Sequence, residues 1–250
     1  MLSDTRFIAA VDGTPIAWRE IGTGRPLLLV HGYFAGAHAN WIRPGHAAAL
    51  ARAGSRVIMP DLRGHGESGR PHDPSAYPRD VLAHDMQTLV ATLALREYDI
   101  AGYSLGARVV VRMLANGASP RRVILGGTGL EGIVAAESQA AHFRHVLDQI
   151  GRHPPGSKAW LAEGFLRANK GDPAAMRLVV DTIASTPLDT LATFRCPILV
   201  ICGEDDNENG SATALAEAVP TGHYRRIPGD HLGAATRPEL ASTIAAFVAR

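Results

Sequence analysis

Ser104, Asp206 and His231 lie far apart in a chain of 250 residues, yet each stands just past a short extended-type run. Their side chains are those of a nucleophile, an orienting carboxylate and a base. A hydroxyl attacks a carbonyl carbon readily only when a base takes its proton, and a neutral imidazole does so best when a carboxylate holds its other nitrogen. Together the three types support acyl transfer, in which the serine oxygen is acylated and water then frees it.

The serine has the most telling surroundings. In IAGYSLGARVVV, Ile100 to Val111, a β-type run passes into a helical one within Gly102-Tyr103-Ser104-Leu105-Gly106. Glycine weakens both kinds of element, so two of them around one hydroxyl need a reason. The Gly-x-Ser-x-Gly spacing makes a sharp strand-to-helix turn. Side chains in place of the two glycines would collide there, and the serine is held strained above the sheet edge. Leu105 N–H then sits at a helix N-terminus, where negative charge is favoured. Downstream, PILVICG runs into Glu204-Asp205-Asp206, and GHYRRIPG runs into Asp230-His231-Leu232-Gly233. The order Ser104, Asp206, His231 is the one expected if these ends converge, with Asp205 as the nearest competing carboxylate. Upstream, RPLLLV leads into His31-Gly32-Tyr33-Phe34, a turn whose backbone N–H groups suit a developing oxyanion.

Elements must bring these ends together. TRFIAAVDG and TPIAWREIG read as a hairpin turned at Asp12-Gly13, and RPLLLVHG as a strand buried on both faces. SRVIMPD, EYDIAGYS, RRVILGG, CPILVICGE and HYRRIPG continue the series. Between them Leu82, Met86, Leu89, Val90 and Leu93 share one helical face, with His84 and Asp85 read as lying off it. Such alternation predicts an α/β fold, a mostly parallel eight-stranded sheet with helices on both faces. From about Leu130 to Thr193 the rhythm breaks. No strand is evident there, but Phe143, Val146, Leu147 and Ile150 have helical spacing, followed by Trp160, Leu161, Phe165 and Leu166. The expectation is a core over 1–129, a small helical cap insertion over 130–193, and a return to the core over 194–250. An insertion leaving a strand's carboxyl end is well placed to roof a pocket. Trp160 and Phe165 are read as local core.

Composition narrows the partners. With 25 basic and 24 acidic residues, a net charge of +1 and 46% hydrophobic content, nothing draws the chain to nucleic acid or an anionic membrane, and a small neutral ligand is the expected partner. MLSDTRFIAAVDG has no basic-then-apolar leader pattern and no run fit to span a bilayer, so a cytoplasmic protein is expected. Cys196 and Cys202 flank PILVI, which at ~3.3 Å per residue holds them roughly 20 Å apart, too far to bridge. A reducing compartment fits.

Taken jointly, HGYF, PDLRGHGES, GYSLG, GEDD and GDHLG stand in the order and at the spacings of the α/β-hydrolases, and the sequence resembles that family over nearly its whole length. The resemblance implies Ser104 as nucleophile, His231 as general base and then acid, and Tyr33 and Leu105 as the oxyanion-hole N–H donors. It implies Asp206 as the orienting carboxylate, since the family's Gly-x-x-Asp matches Gly203-Glu-Asp-Asp206. Some relatives carry the acid after an earlier strand, which keeps Glu131 as a remoter candidate. Asp61, Arg63 and His65 match a loop that is mainly structural in the family. The departure is Asn207-Glu208-Asn209-Gly210, where relatives more often have a proline and an apolar residue, so a looser turn is expected. A serine at the elbow argues against the haloalkane dehalogenase and epoxide hydrolase branches, which place an aspartate there. The activity implied is cofactor-free hydrolysis of a small or medium carboxylic ester or related acyl compound. Carbon–carbon bond hydrolases and lactonases keep the same triad, and a non-catalytic small-molecule receptor on this scaffold is the alternative from another class.

Two other patterns compete. Gly127-Thr-Gly129-Leu-Glu-Gly132 is a formal dinucleotide fingerprint, but Asp148, at the distance of its acidic partner, lies in a helical stretch rather than after a second strand. Eleven histidines suggest a metal, yet His31, His65, His72 and His84 show none of the familiar ligand spacings.

Overall fold

Alternating side chains on a buried strand point to opposite faces, so a sheet built from such runs needs cover on both sides. The computed structural model, which describes residues 2–250, supplies it. Strands β1 (Arg6–Ala9), β2 (Pro15–Ile21) and β3 (Arg25–Val30) lead to α1 (His46–Arg52), β4 (Ser55–Pro60), α2 (Val81–Thr92), β5 (Asp99–Tyr103), α3 (Leu105–Ala115) and β6 (Arg122–Gly126). Helices α4 (Leu130–Val134), α5 (Ala136–Asp148), α6 (Lys158–Ala168), α7 (Pro173–Asp181) and α8 (Leu188–Leu191) intervene before β7 (Ile198–Gly203). The chain then adds α9 (Ala212–Glu217), β8 (Gly222–Ile227), α10 (His231–Ala234) and α11 (Pro238–Val248).

The strand order is β1-β2-β4-β3-β5-β6-β7-β8. The first two pairings, β1 with β2 and β2 with β4, are antiparallel and the rest are parallel, giving the mostly parallel eight-stranded sheet that the alternation predicts. Because β3 to β8 run one way, their carboxyl ends share one edge. The register keeps those ends level: Val30 faces Gly102, Tyr103 faces Gly126, and Gly203 faces Ile227. Alternation divides the core in two. Leu28, Val30, Ile58, Ile100, Val123 and Val200 pack against α2, α3 and α9, whereas Leu27, Leu29, Val57, Ile124 and Ile201 pack against α1 and α11.

The sequence reading needs two corrections. Asp85 is buried, and its carboxylate accepts from Arg63 Nε and Nη2, both at 2.9 Å. It lies three residues after Leu82 and four before Leu89, so helical geometry sets it on the apolar stripe rather than off it. Arg63, itself 1% exposed, also donates to Asp12, Thr14 and the Ala76 carbonyl, and so ties the N-terminal hairpin to α2. Trp160 is the second correction: it is 45% exposed, not core. Leu166 and Glu163 form the buried side of α6, and at ~100° per residue Trp160 points about 120° away from Leu166.

Burial opposes the protonation of three histidines in the core. His31 Nδ1–H donates to the Gly32 carbonyl at 2.8 Å while its Nε2 accepts Leu62 N–H at 2.9 Å, an arrangement that only the neutral ring can make. Burial lowers the pKa of His31, of His46 and, most strongly, of His65. The unfolded chain therefore takes up protons below about pH 6.5 that the folded chain refuses, and stability should fall as the pH drops through that range. Urea titrations at pH 7.0 and 5.5 should differ by about 1 kcal/mol for each histidine kept neutral. A free energy of unfolding that does not change between the two would contradict this account.

Candidate active site

At the carboxyl end of β5 the chain must become helix within one residue. Ser104 takes φ 54° and ψ −113°, a conformation that costs a non-glycine residue about 1–3 kcal/mol and survives only under dense packing. That packing is supplied by the two glycines. A Cβ on Gly102 would overlap the Gly106 carbonyl, and one on Gly106 would overlap the Val30 carbonyl at the end of β3. Ser104 N–H donates to the Gly126 carbonyl of β6 at 2.8 Å, which clamps the turn from the other side.

Beside it lies the turn that follows β3. A Cβ on Gly32 would come within 3.5 Å of Ser104 Cβ, so the Gly32-Tyr33 backbone adjoins the serine directly. Gly32 N–H donates to Asn40 Oδ1 at 2.8 Å, and Phe34 has φ 59°, so the turn has a fixed shape. Tyr33 is buried; its ring stacks on Phe34 at 4.2 Å and meets Phe143 of α5 edge-on at 4.8 Å. Its hydroxyl donates to the Met176 carbonyl of α7 at 2.5 Å. The helices between β6 and β7 thus bear directly on the turn beside Ser104.

The edge shared by the parallel strands brings the other two residues in. His231 Nε2 is 3.1 Å from Ser104 Oγ, and His231 Nδ1 is 2.8 Å from Asp206 Oδ2. An ionised carboxylate only accepts, so Nδ1 carries the proton and Nε2 is left to accept the serine O–H. The Asp206 side chain is 1% exposed and that of His231 12%. Burial works to raise the Asp206 carboxyl, but the bond and charge of His231, Glu208 N–H at 3.2 Å and the Cys202 thiol outweigh it, and the pKa lies below the usual value. Burial, reinforced by the Asp206 charge, pushes that thiol up to about 12, so Cys202 stays protonated and donates from 3.5 Å. Tyr103 O–H donates to the His231 carbonyl at 2.6 Å, and Asp230 caps α10 by accepting Gly233 N–H at 2.7 Å.

Ser104, Asp206 and His231 therefore converge at the sheet edge, with Tyr33 in the adjoining turn and Leu105 next to the serine in the chain. The competing carboxylates are elsewhere: Asp205 is exposed, and Glu131 accepts Ser211 N–H at 2.8 Å. The glycine fingerprint has another use. A Cβ on Gly129 would overlap the Gly210 carbonyl, and Gly129 N–H and Gly132 N–H both donate to the Asn209 carbonyl, at 3.1 and 2.9 Å. The loop carrying Asp206 thus takes up two of the backbone N–H groups of this run. Among the described residues no three His, Cys, Asp or Glu side chains converge as metal ligands, and no helix is long and apolar enough to cross a membrane. Sequence reading missed Tyr103, Cys202, Arg108 and Asn209 as supports. It also expected a loose turn after Asp206, whereas Asn209 is buried and bonded on both sides of its amide.

A family model described as the alpha/beta hydrolase fold matches residues 25–178, well over half of the chain. The chain is 37% identical over 112 residues to a non-heme haloperoxidase of Rhodococcus erythropolis, covering 44% of this chain and 38% of that protein. It is 26% identical to non-heme chloroperoxidase CPO-A1 of Kitasatospora aureofaciens, covering 91% and 92% of the two chains. The matched part spans only 37% or 38% of three of the curated relatives. Among solved structures, a hydrolase from Pseudomonas aeruginosa PA01 superposes with a TM-score of 0.81 at 21% identity, covering 99% of both chains.

Position alone separates the two adjacent aspartates. Asp206→Asn should preserve the fold but favour the wrong imidazole tautomer, with a loss of up to ~10⁴ in turnover. Asp205→Asn should cost little, because its carboxylate lies in solvent. Steady-state kinetics of the two variants decide: a large loss in Asp205→Asn beside a near-normal Asp206→Asn overturns the assignment.

Proposed function

The chain belongs to the α/β-hydrolase family, and on that premise we propose that it is a serine hydrolase acting on a small or medium carboxylic ester or a related acyl compound. One observation carries the reading: the Ser104, His231 and Asp206 side chains form an unbroken hydrogen-bonded relay of 3.1 and 2.8 Å, with the serine on a strained, glycine-flanked elbow.

The steps follow from that geometry. His231 Nε2 takes the Ser104 proton as Oγ attacks the acyl carbon, and the carbonyl oxygen becomes an oxyanion. Tyr33 N–H and Leu105 N–H donate to it; the second has the added field of the α3 N-terminus. Each such donor is worth about 10²–10³ in rate. The imidazolium, stabilised by buried Asp206, returns the proton to the departing oxygen, leaving Ser104 acylated. A water activated by the same histidine then releases the acid. The helices between β6 and β7 roof the acyl group, with Phe143 and Tyr33 giving an apolar wall. Lactones and carbon–carbon substrates use the same triad and belong in the same assay.

Ser104→Ala should lose ~10³ or more in turnover of any substrate found, with the fold intact. A screen of acyl esters of graded chain length, several lactones and a ring-cleavage dienoate, read beside fluorophosphonate labelling, tests this. An adduct on a residue other than Ser104, or full activity in Ser104→Ala, would overturn the proposal.

A further inference from the structure

The four residues after Asp206 depart from the family pattern, and the structure gives that departure a use. Asn209 is 7% exposed although it lies in a loop. Its Oδ1 accepts from Arg108 Nη2 at 2.8 Å and its Nδ2 donates to the Gly127 carbonyl at 3.0 Å. A guanidinium on one side and a carbonyl on the other fix the amide's orientation, because the reverse would set donor against donor and acceptor against acceptor. Its main-chain carbonyl takes two further N–H groups, those of Gly129 and Gly132.

Arg108 is on α3, four residues and one turn beyond Ser104, and is 6% exposed. Asn209 is three residues beyond Asp206. The amide thus links the helix that presents the nucleophile to the loop that presents the acid. Asp206 itself has slender support from that loop: the bonds given to its carboxylate by neighbouring protein are Glu208 N–H at 3.2 Å, the thiol at 3.5 Å and His231. Asn209 Nδ2 also stands 3.5 Å from His231 Nδ1. The proton on Nδ1 is given to Asp206, so the two N–H groups face each other without bonding, and a ring swing toward Asn209 is opposed.

We propose that Asn209, held by Arg108, is a positioning residue for the hydrolytic reaction: it keeps the Asp206 loop and the His231 ring in register with Ser104. This inference rests on the triad reading given above. Neither residue touches the reacting atoms; both act through Asp206 and His231. A loop that only closed the fold would need the main-chain bonds of Asn209, but not an amide locked between a buried guanidinium and the β6 end beside the imidazole.

The rate of Ser104 modification by a fluorophosphonate, together with the far-downfield proton resonance of the His231 Nδ1–H···Asp206 bond, tests this on the full chain. Asn209→Ala should slow modification about 10- to 100-fold, as expected of a small displacement of catalytic groups, and weaken or move the resonance. With an ester substrate the loss should fall on kcat, with KM changed by about twofold or less. Arg108→Lys keeps a cation and most of the stem but not the fork, and should fall between the wild type and Asn209→Ala. Combining Asn209→Ala with Arg108→Lys should add little to the loss in Asn209→Ala alone, because the two act as one unit. If Asn209→Ala folds, as judged by circular dichroism and melting, and keeps both the wild-type rate and the resonance, the proposal fails. If it does not fold, Arg108→Lys decides, and a wild-type rate there overturns the proposal. A wild-type protein that the reagent does not label at all would overturn the triad reading, which is a separate result.

Discussion

The conformation of one residue fixes the geometry of the site. Ser104 at φ 54° and ψ −113° lies between the end of β3 and the end of β6, and Gly102 and Gly106, two residues to either side of it, must lack a Cβ for the backbones to approach so closely. A penalty of about 1–3 kcal/mol is carried there by the sheet core, whose register holds Val30, Gly102 and Leu125 side by side. Once this turn is set, the serine hydroxyl is the focus, with Leu105 and the Gly32-Tyr33 turn beside it. Everything else at the site is an approach to that focus by another strand end.

Charge at the focus is managed by burial as much as by pairing. The carboxylate of Asp206 is shut off from water in the loop after β7, and because that carboxylate only accepts, Nδ1 of His231 carries the proton. A thiol that burial keeps protonated and a buried asparagine amide lie around this carboxylate and the imidazole. The same economy recurs beneath the site. Arg63 and Asp85 bury opposite charges in contact, and His31 spans Gly32 and Leu62 as a neutral link under the turn beside Ser104.

Much of this was legible in the sequence because two periodicities and a few glycines carry it. Buried parallel strands announce themselves as mostly apolar runs, and the carboxyl ends of two of them lead to Ser104 and Asp206, while His231 follows the partly exposed, arginine-bearing strand β8. What failed to show was whatever depends on direction within a helix or on contacts across the chain. Asp85 looked peripheral because it is charged, although its spacing from Leu82 and Leu89 sets it on the stripe; its partner lies 22 residues earlier in a loop. Trp160 reads as internal because it stands at helical spacing with Leu161, Phe165 and Leu166, although α6 turns its buried side elsewhere. The Gly127-to-Gly132 run matches a dinucleotide fingerprint in spacing only, a reading its helical context already argues against; its glycines instead allow the close approach of Asn209-Gly210 of the same chain. Asn209 was visible only as a departure from a pattern, since its partners Arg108 and Gly127 are 101 and 82 residues away.

The central claim is that the strained serine becomes covalently acylated. Rapid quenching of the protein with a chromogenic ester, followed by intact mass and peptide mapping, tests it most directly. The account predicts a mass gain equal to the acyl group, approaching one per chain, on the peptide that contains Ser104. Acylation of another residue, or turnover of the ester with no acylated protein at any quench time, would contradict it.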